Sequence, residues 1–324
     1  KPTGIFEYSK ENQNVITLKE LERKLKEKNA EWLKKIDRAI FILCVNSRQK
    51  EGFSYCSNIC CGSSIKNVAF LKELKPELEI IVLYRDMQMA KKEFEDFYRT
   101  HRKDAIFLKY SLDKVPKITK KNKNKESYQV DVFDVNLQEK ISLNSDLIVL
   151  STPLIPADNI DELAKMLKVP LDHNGFFLEA HVKLRPLDFA TDGIFLCVGA
   201  QWPKNIQDSI AQAHGAAGRA SRFLSIGEIK TSGLISEVKT EDCIGCGKCE
   251  SVCPYNAIEL KETLLEFEDI SIKVKKSTVN SALCKGCGTC AATCPVGAIS
   301  VKHYDFKQIG VMIDSYLLEK PYTE

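Results

Sequence analysis

The run Ala39-Ile40-Phe41-Ile42-Leu43-Cys44-Val45 is apolar without interruption, the pattern of a short parallel strand covered on both faces. Further strand patterns follow at Glu79 to Tyr84 and Ala105 to Tyr110, separated by a helical spacing of Phe94, Phe97 and Tyr98. A helical stretch from about Gly62 to Leu74 lies between the first two strands. This β/α alternation predicts a doubly wound α/β sheet. Ahead of it, Thr17 and Glu20 form a capping box, and Leu18, Leu21, Leu25 and Trp32 fall on one helical face, so residues 1–36 are expected as a lead-in helix and linker. Tyr128 to Val135 and Asp146 to Leu150 read as strands, and Asp161 to Leu167 as a short helix. The basic run Lys120 to Lys125 is expected as a solvated hairpin tip. Asp192 to Ala200 reads as a strand that holds a structural Cys197 and ends in a small-residue turn. Asn205 is expected to cap a helix from Ile206 to Leu224, whose Ala211, Gly215 and Gly218 permit close approach of a sheet or a flat cofactor. A terminal helix, Asp305 to Leu318, carries Phe306, Ile309, Ile313 and Leu317 at helical spacing and is expected to pack back on the preceding domain.

Chemistry enters with the cysteines. Cys243, Cys246, Cys249 and Cys253 precede Pro254, and Cys284, Cys287, Cys290 and Cys294 precede Pro295. Each run is C-x2-C-x2-C-x3-C-P, a spacing in which three thiolates hold one iron–sulfur cluster while the fourth ligates the other. The expected sets are therefore Cys243, Cys246, Cys249 and Cys294 for one [4Fe–4S] cluster, and Cys284, Cys287, Cys290 and Cys253 for a second. Structural zinc fits doubled four-cysteine runs poorly. Upstream, Cys44, Cys56, Cys60 and Cys61 lie at a strand end and in the loop and helix start that follow it, where α/β sheets gather ligands. Their spacing is not a standard ferredoxin pattern, and it leaves both a third cluster and small buried thiols open.

Composition narrows the classes. The 324 residues, 44% hydrophobic and 28% charged, suit two or three soluble domains. A net charge of +3 gives no reason to expect nucleic acid. With 13 cysteines mostly at cluster spacings and no signal peptide, a reducing cytoplasm is expected. No apolar run approaches the roughly 20 residues of a membrane span, so direct membrane insertion is not expected. The sequence opens at Lys1, and either processing or an origin inside a longer protein is expected. His101, His173, His181, His214 and His303 are scattered, and each reads first as a packing or surface residue.

Three segments together resemble the A subunit of heterodisulfide reductase, the flavin and iron–sulfur component of methanogens and of relatives in other anaerobes: Cys44-Val45-Asn46-Ser47-Arg48, Tyr55 to Cys61, and Ile65-Lys66-Asn67. Leu150-Ser151-Thr152, Gly175-Phe176-Phe177, His181 to Pro186, Ala190 to Phe195 and Val198 to Gln201 are also similar to that family. The resemblance implies a third [4Fe–4S] cluster on Cys44, Cys56, Cys60 and Cys61. It also implies Lys66 near the reactive edge of a flavin, as a tuning cation, and flavin contacts at Asp192, Gly193, Gly199, Ala200, Gln201, Lys204 and Ile206. The implied fold is a thioredoxin-reductase-like doubly wound Rossmann-type region followed by a dicluster ferredoxin-like α+β domain. Departures accompany the match. Residues 1–36 contain no G-x-G-x-x-G turn, so the FAD is expected to be shared with a separate or missing half. Trp202 and Asn205 replace a glycine and an aspartate of the family's Q-G-P-K-D turn, and Lys91-Lys92-Glu93 replaces a G-K-G turn.

The expected domains are 1–36, a lead-in; 37–145, a Rossmann-like domain with an inserted iron–sulfur site; 146–235, the end of a flavin-binding domain; 236–303, the dicluster domain; and 304–324, a terminal helix. The implied function is that of an electron-transfer subunit in a heterodisulfide-reductase-like oxidoreductase complex, passing electrons between a flavin and three clusters, with flavin-based bifurcation as the family's mode. Implied partners are thiol/disulfide-site subunits, hydrogenase or formate dehydrogenase input subunits, ferredoxin, and a chain supplying the FAD half. Two alternatives stand beside it. One is a flavin-free iron–sulfur wire and docking module in a complex of, for example, benzoyl-CoA or sulfur metabolism. The other is a direct NAD(P)H reductase, which the absent glycine turn disfavours.

Overall fold

The computed structural model describes residues 6–9, 13–27, 31–121, 127–227, 233–267, 270–304 and 306–318. It divides into two units, Lys1–Pro156 with Pro203–Asp208, and Ala157–Trp202 with Ser209–Glu324.

The first unit is built on β1 (Val15–Thr17), α1 (Leu18–Lys26), α2 (Glu31–Lys34), β2 (Arg38–Ile42), α3 (Cys60–Leu74), β3 (Glu79–Tyr84), α4 (Lys92–His101) and β4 (Ile106–Lys109). A meander of β5 (Lys117–Lys120), β6 (Tyr128–Asp134) and β7 (Glu139–Ser145) then leads into β8 (Leu147–Leu150). Strands β1-β8-β2-β3-β4 form one parallel sheet in that order. The two faces of β2 are separated by the period of two. Ala39 and Phe41 join Leu21 of α1 and Val68 and Leu71 of α3 in one buried layer. Ile40 and Ile42 join Tyr128, Val130 and Val132 of β6 in the other. Helices thus cover one face and the antiparallel meander covers the other. An uninterrupted apolar strand is the sequence-level result, because neither face meets water.

From β2 the chain moves outward through β3 and β4, then returns by the meander to β8 on the opposite side of β2. The strand order therefore reverses between β2 and β8, and the carboxyl ends of those strands open a crevice. Cys44 lies just beyond β2, and Thr152 just beyond β8.

Two expectations about the amino-terminal region change. Thr17 and Glu20 make the capping box, with the Glu20 N–H donating to Thr17 Oγ1 at 3.3 Å and the Thr17 N–H donating to Glu20 Oε2 at 2.8 Å. The helix they start ends at Lys26, however, and Trp32 belongs to α2. Residues 15–17, expected within the lead-in, form β1 beside β8, because Val15 and Ile16 bury more apolar surface in the sheet than a linker would. Of the basic run, Lys120 ends β5, and residues 122–125 lie outside the described residues.

The second unit contains α5 (Ile160–Leu167), most of α6 (Ile206–Ile226), β9 (Ser236–Val238), α7 (Lys248–Ser251), β10 (Ile258–Phe267), β11 (Ile270–Val279), α8 (Thr289–Thr293), β12 (Ile299–Val301) and α9 (Phe306–Leu318). Asn205 caps α6 as expected, accepting the Asp208 N–H on Oδ1 at 2.8 Å. The strand expected at 192–200 does not form. Gly193 and Val198 turn the chain at φ 82° and 62°, and in the apolar run between them a single bridge, Phe195 to Asp188, replaces a ladder. Leu196 instead enters a small core with Ile160, Ala164, Val169, Phe177 and Phe189. Cys197 is accordingly half-buried outside any strand. The terminal helix forms, but Ile309, Ile313 and Leu317 are exposed rather than packed back. Among the described residues no helix is long and apolar enough to cross a membrane.

Candidate metal centres

Two cysteine-lined cavities lie in the second unit. Cys243, Cys246, Cys249 and Cys294 line one, together with Ile244, Val238, Ala298 and Ile299. Cys284, Cys287, Cys290 and Cys253 line the other, with Tyr255, Ala257 and Ile258. Each fourth cysteine thus crosses to the cavity of the other run. The crossing follows from local structure, since α7 and α8 each end within two residues of their fourth cysteine and a proline then stops continuation. Glycines set the loops: Gly245 and Gly286 stand at φ 68° and 62°. A Cβ at Gly245 would strike the Lys275 carbonyl oxygen, and one at Gly286 the Leu234 carbonyl oxygen.

The two cavities share a pattern of donors. Ser277 Oγ lies 3.1 Å from Cys249 Sγ, and Ser236 Oγ lies 3.2 Å from Cys290 Sγ. The Ser236 N–H donates to Cys284 Sγ at 3.3 Å, and the Ser277 N–H acts in the same way on Cys243. Burial pushes the Cys243 thiol up, but the Ser277 and Gly245 N–H groups, the Ser277 hydroxyl and the Lys276 charge outweigh it and hold the group below its ordinary value. Burial dominates at Cys290 and raises it, against a hydrogen bond from Ser236. Donors aimed at sulfur are what an anionic thiolate–cluster unit requires.

Four further thiols converge at the crevice of the parallel sheet. Cys60 and Cys61 form the first turn of α3, whose positive end favours thiolates. Cys44 and Cys56 come from the loop between β2 and α3. That loop is pinned: Ser47 Oγ donates to the Tyr55 carbonyl at 2.8 Å, and Arg85 Nη2 to the Ser47 carbonyl at 2.6 Å. Tyr55 Oη donates to the Leu154 carbonyl at 2.6 Å, and the Leu154 N–H to Ser57 Oγ at 2.8 Å, tying it to the chain after β8. Cys44, Asn46, Arg48 and Asn58 all hold positive φ, between 54° and 57°, a strained backbone of the kind found at ligand sites. Burial first, then the neighbouring Cys61, Cys56 and Cys44, push the Cys60 thiol up to about 12. Burial likewise pushes Cys61 up to about 11, with Cys44 and Cys56 adding to it. Thiols that resist ionisation together are the ones a bound cationic core would ionise. Arg48, paired with Asp86 at 2.8 Å, is a nearby cation and also interacts with Cys44.

Among the described residues no group of three or more His, Cys, Asp or Glu is gathered tightly enough for a single metal ion. The thiolates of a cubane bind separate irons at its corners and stand farther apart. The paired cradles, the sulfur-directed donors and the all-cysteine ligand sets fit iron–sulfur cubanes.

Residues 242–305 match the family model described as a 4Fe-4S dicluster domain. The chain is 34% identical to a protein of Archaeoglobus profundus described as like the A subunit of heterodisulfide reductase, over 80% of this chain and 40% of that protein. It is 38% identical to the second iron-sulfur A subunit of the CoB--CoM heterodisulfide reductase of Methanopyrus kandleri, over 77% and 39%. With the A subunit of the H(2):CoB-CoM heterodisulfide,ferredoxin reductase of Methanothermobacter marburgensis, identity is 35% over 81% and 41%. Over about four fifths of its own length the chain is thus similar to A subunits of heterodisulfide reductases. It spans about two fifths of the length of these relatives. Thioredoxin reductase of Lactococcus lactis overlays 58% of this chain and 53% of its own, at 17% identity and a TM-score of 0.38.

The residues expected at a flavin site take up several local settings. Lys66 lies on the second turn of α3 and pairs with Glu22 of α1 at 2.6 Å, its side chain 59% exposed. Asp192 pairs with Lys285 and, at 3.7 Å, with Arg185. Gly193 occupies the turn noted above, and Gly199 and Ala200 lie in a short 3-10 turn. Gln201 is bound on both ends, Nε2 donating to Glu179 at 2.9 Å and Oε1 accepting from Gln212 at 2.9 Å. Lys204 is half-buried and Ile206 is 79% exposed. Sequence reasoning did not find Ser236, Ser277, Lys276 or the Arg48–Asp86 pair. A signal for the two serines existed, since each stands seven residues before the first cysteine of a run, Ser236 before Cys243 and Ser277 before Cys284.

Proposed function

We propose that this chain is an electron-transfer subunit of a heterodisulfide-reductase-like oxidoreductase complex, carrying three [4Fe–4S] clusters. Cys243, Cys246, Cys249 and Cys294 would hold one, Cys284, Cys287, Cys290 and Cys253 the second, and Cys44, Cys56, Cys60 and Cys61 the third. The reciprocal pair of cysteine-lined cavities carries the reading. When bound, such clusters supply one-electron carriers over roughly −700 to +450 mV. The protein's part is to hold and insulate them. Ile244, Ala298 and Ile299 exclude water from one cradle, Tyr255 and Ile258 from the other, while Ser236 and Ser277 present donors to sulfur. The pinned loop from Cys44 to Ile59 would hold the third cluster at the crevice where sheets of this kind take ligands. Anaerobic isolation of the chain and electron paramagnetic resonance after dithionite reduction test the reading. Signals from interacting [4Fe–4S]⁺ clusters support it, and a protein that takes up zinc but no iron and sulfide refutes it.

The flavin part has two forms. In the first, FAD is held between this chain and a half supplied elsewhere, with Lys66 near its ring. In the second, the chain is a flavin-free wire and docking module. The Lys66–Glu22 and Asp192–Lys285 pairs favour the second, because both charged groups are already neutralised within the chain. Flavin content of the isolated native complex decides between them, with FAD lost on Lys66→Ala supporting the first.

A further inference from the structure

The two cluster cradles correspond in their cysteines, their glycines and the serines that address sulfur, and they differ at one buried charge. Gly245 approaches the Lys275 carbonyl as Gly286 approaches that of Leu234. Ser277 addresses Cys249 as Ser236 addresses Cys290. Lys275 and Ser277 thus correspond to Leu234 and Ser236. The residue between them is Lys276 in one cradle and Ile235 in the other. Lys276 is only 8% exposed, and its Nζ donates to the Cys243 carbonyl at 2.5 Å. Ile235 packs against the apolar residues of the dicluster core.

We infer that Lys276 is a positioning residue for electron flow, making the cluster on Cys243, Cys246, Cys249 and Cys294 the higher-potential member of the pair. The inference rests on the cluster assignment proposed above. Reduction adds one negative charge to a cluster, and a fixed neighbouring cation stabilises the reduced form more than the oxidised one. Other cations lie near both cradles. Lys248 lines the first but is exposed. At the second, Lys285 is paired with Asp192, and half-buried Lys168 lies 3.4 Å from the Glu250 and Cys253 carbonyls. Exposure screens Lys248, pairing offsets Lys285, and longer contacts with partial exposure weaken Lys168. Lys276 alone among these combines burial with a short contact to its cradle. It therefore biases an electron shared by the two clusters towards the Cys243 side.

The test is a redox titration of the anaerobically prepared full-length chain, followed by electron paramagnetic resonance. The dicluster pair is recognised by the spin–spin splitting that appears when both members are reduced. Lys276→Met should lower the higher potential of that pair on the order of tenfold in the reduced-to-oxidised ratio, or about 59 mV for one electron, and leave the lower one in place. Lys276→Arg should restore it, and Ile235→Lys should raise the lower potential. If Lys276→Met does not fold, Ile235→Lys carries the test in its place. Unmoved potentials, equal shifts of both, or a shift confined to the lower one would overturn the inference. Absence of any coupled pair in the unsubstituted chain would instead overturn the cluster assignment.

Discussion

Gly286 and Gly288 lie in one cysteine loop, both with left-handed backbones at φ 62° and 79°, yet their surroundings differ. An alanine at either position bears a left-handed Cβ penalty of roughly 1–2 kcal/mol. At Gly288 the new carbon meets only Val301 Cγ2 at 3.9 Å, an ordinary contact. At Gly286 it meets the backbone oxygen of Leu234, which cannot swing aside without moving β9. That displacement costs roughly 1–3 kcal/mol more, and it disturbs Ser236, whose N–H and hydroxyl address Cys284 and Cys290. Gly286→Ala is therefore expected to lose one cluster of the dicluster pair, whereas Gly288→Ala keeps both with a destabilisation of about 1–2 kcal/mol. Iron and acid-labile sulfide content after anaerobic purification, with denaturant unfolding of the same samples, reads both effects. Equal cluster retention in the two variants would refute the argument from close backbone approach.

Other outcomes follow from the same structure. The metal-free chain should become less stable as pH rises above about 9, because Cys60 and Cys61 have folded values raised to about 12 and 11. The unfolded thiols ionise first, so stability present below their ordinary value is lost as pH climbs towards the folded values, by an amount on the order of a few kcal/mol. Urea midpoints at pH 7 and pH 10 check this, and a midpoint higher at pH 10 would contradict it. Phe41→Ala, at a fully buried position of the central strand, should cost about 3–5 kcal/mol in equilibrium unfolding of the same chain. Thr17→Ala removes the helix cap and should cost about 1 kcal/mol, measured in the same way.

The parts of the fold legible in the sequence are those in which local pattern and burial agree. The apolar run of β2 and the pattern at Glu79 to Tyr84 mark strands with two covered faces, and β3 occupies the second of these. The meander strand β7, Glu139–Ser145, carries no such mark, since it buries Ser145 and leaves charged residues at its start exposed. The opposite mismatch occurs at 192–200, where an apolar segment fills a small core without pairing as a strand. The eight cysteines of the dicluster segment were readable because cluster geometry fixes their spacing. The set at Cys44, Cys56, Cys60 and Cys61 depends on tertiary structure, the strand end and helix start being joined by a loop held through Ser47, Tyr55 and Arg85. Lys276 had no local signal, because only comparison of the two folded cradles gives it a counterpart.

The most direct measurement is the iron and acid-labile sulfide content of the anaerobically purified chain, with Cys60→Ala set beside Cys246→Ala. Three clusters predict about 12 iron atoms per chain, falling to about 8 in each variant. An unchanged count in Cys60→Ala, with loss in Cys246→Ala, would leave the dicluster pair standing and contradict a third cluster at the crevice of the parallel sheet.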